Sequence, residues 1–200
     1  MNSFILRAKP HDIDREEEFL EGRLSIGWPC NQSLEGADRD QIKGILSSFY
    51  EGLSEVSISM VDLFVHMPKD AIILTPSLQD KTLIHLFKTT SNYKYDPLSD
   101  NEKAGNPHFI NAIYLKTVVR NLLPKPVLKS LSGARKTLSR ISQHYGILDE
   151  YISNNFQVNR GVKPKYNKFQ CEAIDVIYNL LDSEDEHVRL KAAIAIIELS

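Results

Sequence analysis

Ala71-Ile72-Ile73-Leu74-Thr75-Pro76-Ser77-Leu78-Gln79-Asp80-Lys81-Thr82-Leu83-Ile84-His85-Leu86-Phe87-Lys88-Thr89-Thr90 is the stretch that decides the fold. It begins with a short apolar run bounded by Pro68 and Pro76, passes a turn-like segment at Ser77 to Lys81, and resumes as a second run. Two such runs around a turn read as a β-hairpin. Downstream, Tyr93-Lys94-Tyr95 continues the extended segment, 97–107 is a polar loop, and 109–119 is a strand rich in Ile, Tyr, Val and Thr. A helical turn or two over 126–131 and a last strand over 137–141 follow. Upstream, Ile42, Leu46 and Phe49 give a helical period over 38–50, and 58–66 reads as a second helix. Leu24 to Pro29 reads as a strand closed by a turn, 12–21 as a charged exposed helix, and 3–8 as the opening strand. Strands and helices interleave without a regular βαβ rhythm, which predicts an α+β fold with a small curved sheet or barrel and peripheral helices.

Totals are those of a globular chain: 200 residues, 42% hydrophobic, 25% charged, net charge −2. Cys30 and Cys171 are the only cysteines and lie far apart, which fits neither a disulfide framework nor a zinc spacing and suits a reducing cytosol. The N-terminal residues show no export signal, and no apolar stretch approaches the roughly 18 residues of a membrane span. A soluble cytoplasmic protein with no membrane partner is the expectation.

A first domain over 1–155 is expected, then a polar, basic linker over 156–165 punctuated by Gly161 and Pro164. In the remaining 166–200, Phe169, Ala173, Ile174, Ile177, Leu180 and Leu181 form one helical stripe. Ser183-Glu184-Asp185-Glu186 has the pattern of a capping box opening a second helix. Such a helical hairpin rarely buries its apolar face alone, so it would dock, pair with another copy or bind a partner.

Catalytic signatures are absent. There is no GxxxxGK[ST], GxGxxG or GxSxG, and the six histidines show neither HxxxH nor HExxH spacing. A binding protein rather than an enzyme is expected, with no cofactor and no metal. One asymmetry stands out: between Glu102 and Asp149 there is no acidic residue, while Lys103, Lys116, Arg120, Lys125, Lys129, Arg135, Lys136 and Arg140 fall in that window. Gathered on one side, these side chains would face phosphates.

The order of segments carries a resemblance. Phe4-Ile5-Leu6-Arg7-Ala8, Leu24-Ser25-Ile26-Gly27-Trp28-Pro29, 67–76, Tyr93-Lys94-Tyr95, Pro107-His108-Phe109 and the run through Leu128, Leu131, Thr137 and Ile141 resemble, in this order, the EVE-like domains of the PUA superfamily. Such domains stand at the N-terminus of Mrr-type restriction systems and related defence proteins. The resemblance covers about three-quarters of the chain, and the sequence departs from it at Lys69-Asp70 and at Phe109-Ile110. It implies a five- or six-stranded barrel that reads a modified or flipped base between aromatics, with Trp28 as one wall, Tyr93 and Tyr95 as second walls, and His108 beside them. Lys116, Arg120, Lys129, Arg135, Lys136 and Arg140 complete the expected nucleic-acid surface. The segments 180–183 and 187–193 are similar to a single HEAT-type repeat.

Two functions follow as expectations. The first is a nucleic-acid-binding module that recognises a modified base in DNA, in restriction or phage defence. The alternative is a protein-interaction adaptor that oligomerises or docks through 166–200.

Overall fold

The computed structural model describes residues 1–133 and 136–155, and beyond them Leu180, Ser183 and 185–199. The chain divides into two units, Met1–Gln157 and Val158–Ser200. In the first unit the elements are β1 (Ser3–Leu6), α1 (Glu16–Leu20), β2 (Arg23–Ile26), α2 (Arg39–Ser47), α3 (Glu55–Val65), β3 (Ile72–Pro76), β4 (Leu83–Thr89), β5 (Lys94–Tyr95), β6 (His108–Val119), α4 (Lys125–Gly133), β7 (Leu138–Arg140) and α5 (Tyr145–Asn155). The α+β expectation holds: one curled, mixed sheet is flanked by helices.

Strand order is β2-β6-β4-β3-β1-β7, with β5 also on β6. The predicted hairpin is the β3–β4 pair, in register from Ile72↔Lys88 to Pro76↔Ile84. β1 lies parallel to β3, with Ser3 opposite Ile72, and antiparallel to β7, with Leu6 opposite Leu138. Because β1 and β3 are interior strands covered on both faces, they read as continuous apolar runs rather than alternating ones. A bulge between Leu86 and Phe87 sets two β6 residues, Tyr114 and Lys116, against neighbours on β4 and leaves Leu115 over. Such an insertion increases local twist and helps curl the sheet.

Each face carries a core. Phe4, Leu6, Ile73, Phe87 and Leu138 pack with Phe19, Ile42, Leu46, Val61 and Phe64. On the other face, Ile5, Ile72, Leu74, Ile84, Leu86 and Val118 pack with Val127, Leu131, Leu148 and Ile152. Each fully buried Leu, Ile or Phe contributes about 1.5–3 kcal/mol. α2 begins on a full capping box, in which Asp38 accepts the Asp40 and Gln41 amides and Gln41 accepts the Asp38 amide.

Four expectations change. The charged segment 12–21 is a 3-10 turn at Pro10–Asp12 followed by the short α1. Its Glu16 is buried, not exposed, because Ser77, Leu78 and His85 converge on its carboxylate. α5 was not expected; Leu148 and Ile152, four apart, seat it on the sheet. The linker 156–165 and the first hairpin helix lie outside the described residues. In the second unit, α6 (Glu186–Leu199) is capped by Asp185, whose Oδ1 accepts the amides of His187 at 2.8 Å and Val188 at 3.4 Å. Ser183, the expected cap, instead accepts from the Asp185 amide. Among the described residues, no helix is long and apolar enough to cross a membrane.

Candidate nucleobase cleft

His108 is the hinge of the candidate site. As the first residue of β6 it stands in register with Ile26 of β2 on one edge and Tyr95 of β5 on the other, and is fully buried. The Tyr93 ring stacks on it at 5.7 Å and 27°, and the Tyr95 ring meets it at 5.8 Å and 33°. Both tyrosines thus meet one imidazole, Tyr95 from β5 and Tyr93 from the residue just before it.

Hydrogen bonding fixes the tautomer. The Leu34 amide donates to the Tyr93 hydroxyl at 3.0 Å, so that hydroxyl donates onward to His108 Nδ1 at 2.7 Å. His108 Nε2–H then donates to the Trp28 carbonyl at 2.9 Å. Burial holds the imidazole below its ordinary range, although the Trp28 carbonyl opposes that shift. Burial likewise pushes Tyr93 up to about 12.

What this chain of bonds secures is a strained corner. Trp28 sits at φ 76°, a region that a bulky side chain rarely adopts. The Tyr50 hydroxyl donates to the next carbonyl, Pro29, at 2.7 Å, and the Tyr50 and Trp28 rings meet edge to face at 5.2 Å. His11 and Asn31 also have positive φ, at 51° and 55°. Gly105 at φ 67° is required beneath His11, since a Cβ there would lie 2.8 Å from His11 Cβ. Left-handed non-glycine residues cost on the order of 1–3 kcal/mol each and gather where function over-determines geometry.

These residues border a cleft of about 250 Å³ lined by His11, Pro29, Asn31, Phe49, Tyr50, Asp100, Asn101 and Glu102. That is somewhat below the roughly 300–1,000 Å³ of a drug-sized site, and suits one flat heterocycle. The far wall, the loop 96–107, is clamped to the α1–β2 segment. Arg15 donates to the Ala104 carbonyl at 2.5 Å, and Arg23 to Asp96 and the Asn106 carbonyl at 3.2 Å each. Asn106 in turn donates to Glu18 at 2.9 Å. Tyr95 donates to Asp100 Oδ2 at 2.6 Å; burial, then Asp100, pushes the phenol up. Tyr50 is pushed up to about 12 by burial first, with Cys30, Asp100 and Glu102 adding to it.

The expected site residues are only partly brought together. Trp28 is half-buried and supports Tyr50 rather than lining the cleft. Tyr93 and His108 lie beneath the corner and form no wall; pairing on both edges buries His108, and Tyr93 is buried stacked on its ring. Tyr95 orients Asp100. The aromatic walls are Phe49 and Tyr50, which the sequence reading did not select.

The basic residues do not form one surface with this cleft. Arg140 pairs with Phe4 and lies over its ring at 5.7 Å, on the face covered by α2 and α3. Lys116 pairs with Leu86, on the opposite face, which α4 covers. β4, β3 and β1 separate their strands, a span of about 19 Å at the usual strand spacing. Lys129 is exposed on α4, Arg120 is half-buried after β6, and Lys136 joins Arg140 at a separate cleft against α3. Arg135 lies outside the described residues.

No protein-family model matches the chain, and no curated protein matches it. Among solved structures, it is similar to the YTH domain of the Zygosaccharomyces rouxii MRB1 protein, solved in complex with N6-methyladenosine RNA. The identity is 16% and the TM-score 0.38, over 77% of this chain and 85% of that chain. At that level of similarity no residue-to-residue correspondence follows.

Proposed function

We propose that the first unit reads a modified base in DNA, drawing one base into the Phe49–Tyr50 cleft and catalysing no reaction on it. The observation that carries this reading is an aromatic-walled cleft, sized for one heterocycle, beside a strained corner held by His108 and Tyr50. Extruding a base costs a few kcal/mol. Stacking on an aromatic ring returns about 1–3 kcal/mol, and a rigid corner spares the ordering cost on binding. Phosphate contacts would come from side chains outside the cleft, where the basic residues are dispersed, so few counterions are released and the salt dependence is shallow. Defence against phage carrying modified DNA is the setting we propose, in keeping with the segment order.

Fluorescence anisotropy with matched duplexes, plain and carrying 5-methyl- or 5-hydroxymethylcytosine, tests it. Tighter binding of a modified duplex is expected, and Phe49→Ala should remove the difference with the fold intact, because Phe49 is 46% exposed. Equal binding of all duplexes by the wild type would sink the reading. A second reading, an interaction helix, draws on Leu190 and Ile194, four apart on α6 and 58% and 46% exposed. Leu190→Asp with Ile194→Asp should then shift the oligomeric state in size exclusion; an unchanged elution volume ends that reading.

A further inference from the structure

The lining of the cleft is one-sided in charge. Asp100 and Glu102 stand on its loop wall, and no Lys or Arg is among its lining residues. A phosphate or carboxylate would meet repulsion there, whereas N–H groups would be attracted.

The Asp100 carboxylate is also half-used. Oδ2 accepts the Tyr95 hydroxyl at 2.6 Å, which fixes the rotation of the group. Oδ1 has no hydrogen-bond partner among the described residues and is closed to water, so a ligand N–H reaches it only by displacing what covers it. Among the described residues four buried side-chain polar atoms share that condition, but those of Arg15, Arg23 and Thr75 belong to residues that do not line the cleft. A buried acceptor without a donor is unfavourable, and a ligand that brings an N–H satisfies it.

The support behind Asp100 is rigid. Its loop is pinned by Arg15, Arg23 and the Asn101 side chain, which accepts the Lys103 and Ala104 amides at 3.1 and 2.9 Å. Tyr95 is itself held against the buried His108 ring. An acceptor fixed in this way discriminates, because it does not rotate to suit a different edge.

We infer that Asp100 is the specificity residue of the cleft and selects a base bearing an exocyclic amino group over thymine or uracil. Cytosine and adenine present an amino group on the edge that a flipped base exposes, and guanine presents another. Thymine and uracil offer one ring N–H between two carbonyl oxygens, both of which face the acidic wall unfavourably. Sites built around a polar contact reject analogues lacking it far better than apolar pockets reject a missing methyl group.

This inference rests on the base-reading proposal, and its test separates the two. Binding is measured by anisotropy on duplexes with one unpaired target position, occupied by 5-methylcytosine, thymine, cytosine or uracil, or by an abasic site. An unpaired target lowers the cost of extrusion equally for all. The wild type is expected to bind the 5-methylcytosine target at least tenfold more tightly than the thymine target, two bases that share the methyl group and differ at the amino edge.

Asp100→Asn keeps an acceptor for Tyr95 and turns an amide NH₂ toward the remaining position. It should bring the two targets within threefold of each other or favour thymine, with an unchanged thermal midpoint. Retention of the tenfold preference by Asp100→Asn, or no preference in a wild type that still binds bases over the abasic site, overturns the inference and leaves base reading standing. Equal binding of the abasic duplex and every base overturns base reading itself. If Asp100→Asn lowers the thermal midpoint, Tyr95→Phe, which frees the carboxylate to rotate, should weaken the preference without removing it; an unaltered preference there counts against Asp100.

Discussion

Two histidines on neighbouring strands, His85 of β4 and His108 of β6, are 5% and 0% exposed, yet are held by opposite chemistry. His85 Nε2 meets the Glu16 carboxylate at 2.7 Å, and its Nδ1 meets the Thr117 hydroxyl at 2.7 Å. His108 is surrounded by two tyrosine rings and donates to a backbone carbonyl. The first arrangement uses a buried charge to seat α1 on the sheet. The second uses a neutral ring to hold a strained corner, and only the second lies next to the cleft. One region therefore keeps the fold and the other keeps a geometry.

The largest effect that probes this division is expected at Glu16. Its removal would leave the His85 imidazole, the Ser77 hydroxyl and the Leu78 amide facing a buried void. A buried donor left unsatisfied costs about 1–3 kcal/mol, and three are left here, so Glu16→Ala should lower the urea midpoint steeply. The carboxylate also sets an acid limb. Burial pushes it up, but the bonds from Ser77, His85 and Leu78 outweigh that and hold it below its ordinary 4.5. Its contribution is thus present above about pH 4.5 and lost as pH falls through the lower folded value. Glu16→Gln should abolish that limb; an unaltered acid profile would assign the acid sensitivity elsewhere.

His108→Ala comes next, at about 2–3 kcal/mol from lost packing and two lost hydrogen bonds. Its pH signature lies higher. With a folded value held below 6.5 by burial, the unfolded chain binds the proton more readily between the two values. Stability from His108 is complete above about pH 6.5 and declines below it until the folded value is passed. Urea midpoints from pH 7.5 to 5 should fall in the wild type and fall less in His108→Gln. Parallel slopes would mean that His108 is not the group titrating there.

Much of the fold side of this comparison was legible in sequence and little of the site side was. The hairpin, the apolar runs of β1 and β3 and the Asp38 cap depend on local pattern, and the chain displays them openly. Glu16 was read as exposed because its partners lie about sixty residues away, on β4 and the turn before it. Phe49 shares a helical period with Ile42 and Leu46, but α2 ends at Ser47, and past its end that period no longer governs direction. The consecutive pair Phe49-Tyr50, beyond a helix end and before Glu51-Gly52, was the available signal. His108 is expected beside the aromatic walls, but its pairing on both edges, which buries it, is a long-range fact. The basic window illustrates the converse, since sequence clustering became dispersal over two faces of a sheet.

Gly105 sharpens the site side further. Its φ of 67° and the His11 side chain 2.8–2.9 Å from a would-be Cβ both oppose a side chain. Gly36, with φ 73° and nothing within 4 Å, offers a control that carries backbone strain alone. Gly36→Ala should cost about 1 kcal/mol and Gly105→Ala about 2 kcal/mol, with base binding weakened only in the latter. Equal costs would mean that His11 swings aside freely and is no part of a fixed wall.

The smallest expected effect isolates one hydrogen bond. Tyr50→Phe keeps the aromatic wall and its edge-to-face contact with Trp28, and removes only the donor to the Pro29 carbonyl. About 1 kcal/mol of stability should be lost. If the His108 bond to Trp28 alone suffices to hold the corner, base binding in Tyr50→Phe will match the wild type. A loss of several-fold would show that the corner needs both donors, with the preorganised geometry shared between the buried ring below it and the cleft wall beside it.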